Sequence, residues 1–222
     1  MALHIEDYAL IGDLRTAAMV GVDGAIDWLP LPRFDSPAVF AALLGEARHG
    51  QWILAPADRE RCSRRRYRAD TVVLETEWTT GSGAVRVTDL MAPGSSEPMV
   101  VRIVDGLVGT VAMHTHLEPR MDYGKEVPTL RTTQGRLVAT AGREELWLDS
   151  DVDLMTEVGC WTGAFTVTAG QRVSSPSPTP PEDRAERPRT PTPRSPPPMR
   201  FGPNGSAGQR TPALGPRRSP SR

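Results

Sequence analysis

Two runs, VLETEW at residues 73–78 and VRVTDL at residues 85–90, alternate apolar and polar side chains with a period of two, and a Gly-Ser-Gly step joins them. Successive side chains of a strand point to opposite faces, so the pattern demands a sheet with one buried and one wet face, as antiparallel strands supply. Further candidate strands lie at residues 52–54, 100–104, 110–117, 136–141, 145–148 and 164–168, divided by Gly, Pro or Asp turns. Regular short strands of this kind predict a mainly β chain built as an antiparallel β-sandwich. There is no βαβ rhythm, and no glycine-rich phosphate loop follows a strand, which removes the usual nucleotide-binding classes.

The first fifty residues add a hairpin and a helix to this plan. Residues 5–11 alternate loosely up to the Gly12-Asp13 turn. The runs 16–20 and 26–29 then flank Gly21-Val22-Asp23-Gly24, where Asp-Gly supplies the positive φ that tight hairpins need. Pro30 and Pro32 stiffen the segment LPLPRFDS by removing backbone donors and holding the residues before them extended. Arg33 and Asp35 therefore sit on a rigid, exposed loop. Ser36 has N-cap chemistry and Pro37 suits a first helical position, so residues 37–44 are expected to form the one short helix.

Composition changes abruptly at Val173. Fourteen of the 22 prolines follow it, and the last 49 residues hold a single aromatic, Phe201. Residues 1–173 carry a net charge of −7 and residues 174–222 a net of +6, so the near-neutral total hides an acidic body and a basic tail. Two regions result: the sandwich at 1–173, and a Pro/Arg/Ser-rich tail at 174–222 expected to be disordered, since prolines give no ladder donors. Arg mixed with Pro and Ser, without interleaved aromatics, argues against nucleic-acid binding. Cys62 and Cys160 stand far apart with no CxxC spacing, so neither a disulfide framework nor a zinc site is expected, and no cofactor. No apolar run reaches the ~18 residues of a membrane span, and the N-terminus lacks a basic then apolar leader, so the expectation is a cytoplasmic protein free of membranes.

Three stretches carry a likeness to a known group. They are IEDYALIGDLRTAAMVGVDGAIDWLPLPRFDSPAVFAALLG at residues 5–45, YRADTVVLETEW with VRVTDLMAP between residues 67 and 93, and VRIVDGLVGTVAMHTHLEPRMDYGKEVP at residues 101–128. Over residues 3–173 the chain resembles the N-terminal β-sandwich, the trehalase-like N-terminal domain, of bacterial glycoside hydrolase family 15, the glucoamylase and trehalase-like proteins. The resemblance implies a supersandwich placed ahead of an α/α barrel of helical hairpins. In that family the barrel carries the chemistry, inverting cleavage of α-glucosides by one Glu as acid and a second as base. This chain has no counterpart of the barrel, so no catalytic residue is assigned and the chain alone is expected to be inactive. Its expected partner is the missing barrel or a separately encoded one, with α-glucosides as ligands within reach. The tail has the composition that out-of-frame reading of GC-rich coding DNA yields, and a frameshift is the expectation. The alternative is an independent carbohydrate-binding or protein-interaction module whose Pro-rich tail recruits a partner.

Two loops hold the candidates for substrate or domain contact. Arg33, Phe34 and Asp35 set a fork-shaped cation beside a carboxylate, which suits sugar hydroxyls or a neighbouring domain; the competing reading is a local ion pair around a buried Phe34. Asp122 and Tyr123, after Pro119, offer a carboxylate beside an aromatic face that can pack on a pyranose; the competing reading is a turn with Tyr123 folded over the core. His114 and His116 share a strand face but gain no third ligand from the sequence. DSDVD at residues 149–153 lacks the Gly and distal Glu of an EF-hand loop, so no metal site is expected. CSRRRYR, ending at Arg68, reads as a charged edge or loop, and the five tryptophans read mostly as packing.

Overall fold

The computed structural model describes residues 3–58, 62–95, 97–175 and 200–203. In chain order the strands are β1 (Tyr8–Gly12), β2 (Ala17–Gly21), β3 (Ala25–Pro30), β4 (Ala38–Phe40), β5 (Gln51–Pro56), β6 (Arg64–Tyr67), β7 (Leu74–Thr80), β8 (Gly83–Met91) and β9 (Val100–Glu118). A short helix, α1 (Met121–Gly124), leads to β10 (Thr129–Thr133), β11 (Arg136–Ala141), β12 (Glu144–Leu148), β13 (Met155–Glu157), β14 (Cys160–Thr168), β15 (Arg172–Ser175) and β16 (Arg200–Pro203). Twelve strands form one antiparallel sheet along the path β1-β2-β3-β5-β9-β8-β7-β6, with β4 on β3, β14 and β15 on β9, and β13 on β14. The other four form a second sheet in the order β10-β11-β12-β16. The mainly β, antiparallel architecture with one short helix is thus present, and much of it is a single sheet that curls.

Side chains close the curl. Arg65 on β6 donates to the carbonyls of Asp7 and Val20, and the Tyr67 hydroxyl accepts from the Leu10 N–H and donates to the Leu10 carbonyl. The Tyr67 hydroxyl stands where ladder bonds would otherwise be, so the outer edge of β1 is capped at Leu10 without a further strand, while Arg65 grips carbonyls of the β1–β2 hairpin. The charged run at residues 64–68 is therefore an edge strand with a closing function. On its other face Arg66 and Arg68 both clamp the carboxylate of Glu75.

The spine is β9. The sequence suggests two strands, at 100–104 and 110–117, yet the structure makes one of 19 residues. Its first half pairs with β8 and β15 and its second with β5 and β14. The change of partners falls at residues 106–109, where Gly106 admits a close neighbour: a Cβ there would lie 2.0 Å from the Thr168 carbonyl oxygen.

A polar layer divides the core. One cluster gathers Ile11, Ile26, Phe40, Trp52, Leu74, Met91, Val100 and Trp161 with Leu146 and Leu148 of the second sheet; the other holds Leu54, Trp78, Val85, Val87, Val104 and Val111. Between them, one buried polar side chain stands on each of three adjacent strands: Thr76 on β7, Asp89 on β8 and Arg102 on β9. The Arg102 guanidinium, fully buried, donates to Asp89 Oδ1 at 2.9 Å, to the Trp52 carbonyl at 2.7 Å and to the Gly24 carbonyl at 2.7 Å. It also lies 5.0 Å from the centre of the Trp52 ring. One cation therefore ties β8, β5 and the β2–β3 turn to β9.

One expectation is corrected. The helix expected over residues 37–44 is β4 followed by a 3₁₀ turn at Ala42–Leu44. Ala38, Val39 and Phe40 are all buried, Phe40 pairs with Leu29, and the Ala41 N–H reaches the carbonyls of His49 and Gly50, so tertiary pairing overrides the local cap signal. Ser36 Oγ accepts from the Arg33 N–H and caps no helix. The 174–222 tail, expected to be disordered, lies largely outside the described residues. Where it is described it is strand: β15 runs on through Ser175, and β16 pairs with β12 between Trp147 and Glu144. Arg200, Phe201 and Gly202 form a proline-free run with backbone donors, which the average composition of the tail conceals.

Candidate functional site

Strand order gathers distant loops at one end of the long sheet. β1 and β3 end there, β5 begins there beside the last residues of β9, and β14 begins opposite Leu117. The turns at residues 13–16, 31–37, 41–50, 119–128 and 158–159 consequently form a common rim.

The first candidate loop is fixed by its own backbone. The Leu31–Pro32 peptide is cis, the Phe34 N–H donates to the Arg15 carbonyl at 2.9 Å, and the Ser36 N–H donates to the Arg33 carbonyl at 3.0 Å. Arg33 grips Asp35 twice, Nε to Oδ1 at 2.9 Å and Nη2 to Oδ2 at 3.0 Å. That hydrogen bonding holds the Asp35 carboxyl below its ordinary range. The ion pair exists, but Phe34 is not buried beneath it: its ring is 65% exposed and points away from the core.

The second candidate loop bends sharply. Met121 is buried and bridges to Glu126, while Asp122 and Tyr123 adopt left-handed backbone with φ of 48° and 61°. Asp122 accepts from Lys125 Nζ at 3.0 Å. Tyr123 is not folded into the core: its ring sits 6.1 Å from that of Trp28 at 35°, partly exposed, and its hydroxyl donates to the Ser36 carbonyl at 3.4 Å. The two loops are therefore in contact through Tyr123 and Ser36, with Trp28 beside them.

Three residues at this rim escape a sequence reading. Trp28 is only half-buried and carries Tyr123. Leu44 is exposed, and Leu14 is 98% exposed at a φ of +75°. A left-handed leucine with no packing is a strained residue held at the surface. Its sequence signal was present, an apolar side chain between Asp13 and Arg15 in a turn that polar residues would ordinarily fill. With Phe34 and Tyr123 these side chains make the rim apolar between charged pairs.

Five of the rim carboxylates are tied to cations. Asp13 pairs with Arg15, Asp35 with Arg33, Glu46 with Arg48, Glu118 with Arg120 and Asp122 with Lys125. The rim thus sets paired charges beside exposed apolar side chains. Of the histidines weighed for a metal, His116 lies 3.3 Å from Glu118, and among the described residues no group of three or more His, Cys, Asp or Glu side chains is placed to hold an ion.

A curled antiparallel sheet with a rim of apolar and ion-paired loops defines an all-β module. The chain belongs to the trehalase-like N-terminal family, which matches residues 1–154 and so contains both candidate loops. It is 30% identical over 156 residues to the trehalase of Thermoplasma volcanium, covering 68% of this chain and 25% of that one. With the trehalase of Mycobacterium tuberculosis it shares 31% over 138 residues, 54% of this chain and 20% of the other. With that of Mycolicibacterium smegmatis it shares 29% over 161 residues, 63% and 24%. The chain thus spans about a quarter of the length of these relatives. No solved structure matches it significantly. Among the described residues no helix is long and apolar enough to cross a membrane.

Proposed function

We propose that the chain is the non-catalytic N-terminal module of a trehalase-like α-glucoside hydrolase of glycoside hydrolase family 15, and that its rim is the surface on which an α/α-barrel catalytic domain rests. One observation carries this reading: Leu14, Phe34, Leu44 and Tyr123 are exposed together on loops that the structure otherwise makes rigid, within the family-matched region. Isolated proteins rarely hold several large apolar side chains in such a rim unless a second surface covers them. In this reading Arg33 and Asp35, with Asp122 and Tyr123, border the mouth of the barrel's α-glucoside site, and the chain by itself is inactive. Neither Cys62 nor Cys160 is in a disulfide, which fits the cytoplasm as its compartment.

The test is a chimera in which residues 1–173 replace the N-terminal quarter of the Mycolicibacterium smegmatis trehalase. The chimera should release glucose from trehalose while the isolated chain does not. Leu14→Ser with Phe34→Ser should lower the chimera's rate by about tenfold, the equivalent of ~1.4 kcal/mol. Glucose release by the isolated chain that disappears when its own carboxylates are replaced, or a chimera indifferent to both serines, would overturn the reading.

A further inference from the structure

On the side of β9 away from β5 and β8, the sheet opens around a hole. β13 pairs with β14 from Met155 and Thr162 to Glu157 and Cys160. Further along, Asp151 ties to Ser174: its N–H donates to the Ser174 carbonyl at 3.0 Å, and its carboxylate accepts from the Ser174 N–H at 3.1 Å and from Ser174 Oγ at 2.5 Å. Between these two ties one arm consists only of residues 152–154, whereas the other runs over residues 163–173. The longer arm must bow outward through the turn at 169–171. It leaves a cavity of about 450 Å³, walled by Ala164, Phe165 and Thr166 on one side and by Gln171 and Arg172 on the other, with residues 151–153 across it.

The lining has a definite chemistry. From Gly163 to Val167 the edge of β14 that faces away from β9 has no strand partner among the described residues, so its backbone groups require water or a ligand. Asp153 and Thr166 are exposed. Gln171 commits its Oε1 to the Thr168 N–H at 3.2 Å, which leaves its amide NH₂ to donate. The charge of Arg172 is met by Asp105 at 2.6 and 3.1 Å, so the cavity does not call for an anion. Phe165 and Ala164 add an apolar side. Spaced donors and acceptors around a nonpolar wall match a ligand with many hydroxyls and a C–H face, and the volume falls in the roughly 300–1,000 Å³ typical of small-molecule sites. An extended peptide fits less well, because the ties at both ends limit the slot to the span of residues 152–154, about 10 Å of strand.

We propose that this cavity binds a neutral mono- or disaccharide, held by Asp153, Thr166, Gln171 and the open edge of β14. The site shares no residue with the rim and stands or falls independently of the docking reading. It is tested by amide NMR titration of the full-length chain with trehalose and, separately, with glucose. At least one of the two sugars should shift the amides of residues 151–153, 164–166 and 171–173 saturably. Ala164→Trp, which fills the cavity from an exposed position, and Asp153→Ala should each weaken that binding about tenfold or more, while Phe34→Ser leaves it unchanged. The proposal fails if neither sugar moves these amides, if the shifts survive both substitutions, or if a tetra-alanine peptide moves them and the sugars do not. None of those outcomes bears on the trehalase chimera, so the two readings fail separately.

Discussion

Replacing Arg102 by Met keeps most of the side-chain volume and removes the guanidinium. The structure then holds Asp89, 1% exposed, without its cation, and the carbonyls of Trp52 and Gly24 lose the donors that reach them at 2.7 Å. Breaking one side of a buried ion pair costs ~3–5 kcal/mol, most of it the stranded charge. The lost bonds to the two carbonyls add at most about 1 kcal/mol each, and less at Gly24, whose carbonyl keeps the Leu54 N–H at 3.1 Å. A loss of about 5 kcal/mol is a third or more of the ~5–15 kcal/mol that holds a typical domain folded. In urea, with a slope of ~2 kcal/mol per molar, the midpoint should fall by about 2 M or the variant should already be unfolded. Tryptophan fluorescence is the readout, because Trp52 packs under the guanidinium. Arg102→Met combined with Asp89→Leu removes the stranded carboxylate and should recover about half of the lost stability. The reasoning is refuted if Arg102→Met alone costs less than ~1 kcal/mol, or if the double variant is no more stable than the single one.

Two further outcomes follow from the same structure. Asp27 is buried and accepts a 2.6 Å hydrogen bond from the Tyr8 hydroxyl; burial pushes its carboxyl above the usual range, more than that bond pulls it down, and also pushes up the Tyr8 phenol. A carboxyl raised on folding supports the fold fully below its unfolded value near ~3.9 and loses that support as pH rises through the folded value, so Asp27→Asn should be more stable than the parent at neutral pH and lose that advantage in acid, as paired urea melts at about pH 7 and about pH 4 would show. At the rim, Leu14 pays for left-handed backbone with no packing in return, so Leu14→Gly should raise stability by ~0.5–1 kcal/mol in a thermal melt, and a decrease would show that the leucine packs against its own chain.

What could be read from the sequence depended on whether an element's reason for existing was local. β11 coincides with the expected run at 136–141, and the Asp23-Gly24 turn joins β2 to β3, because both follow from alternation and turn chemistry within a few residues. The helix at 37–44 misled for the complementary reason: Ser36-Pro37 is a sound local start, but Phe40 is worth more against Leu29 than in a helix. β9 looked like two strands because Gly106 and Gly109 resemble a turn, whereas they mark where a single strand exchanges partners. β6 was legible only as a charged edge or loop, because its working side chains, Arg65 and Tyr67, hold the β1–β2 hairpin by polar contacts that no hydrophobic alternation reveals. Both contact loops were visible in composition. Their meeting was not, since Ser36 and Tyr123 are 87 positions apart and only the β3-β5-β9 strand order brings them together.

That order also links the polar layer to the rim. Arg102 holds the carbonyls of Gly24 and Trp52, and from those two residues β3 and β5 run to the end where the Arg33 loop and the 41–50 turn emerge. A buried ion pair is weak evidence for stability, because well-packed apolar residues often serve as well. Register is a stronger reason to keep it. A slip of β3 by one residue would carry the Gly24 carbonyl away from its donor and turn Trp28 to the other face, away from Tyr123. The apolar clusters resist that slip too, but a guanidinium with three fixed acceptors adds a directional constraint that packing alone does not supply. If register is what Arg102 secures, Arg102→Met with Asp89→Leu should regain stability yet lose the contact between Trp28 and Tyr123, read as a change in near-ultraviolet circular dichroism that Tyr123→Leu reproduces in the parent chain. A double variant with the parent's aromatic signal would show that the hydrophobic clusters alone set the register and that the cation only adds to stability.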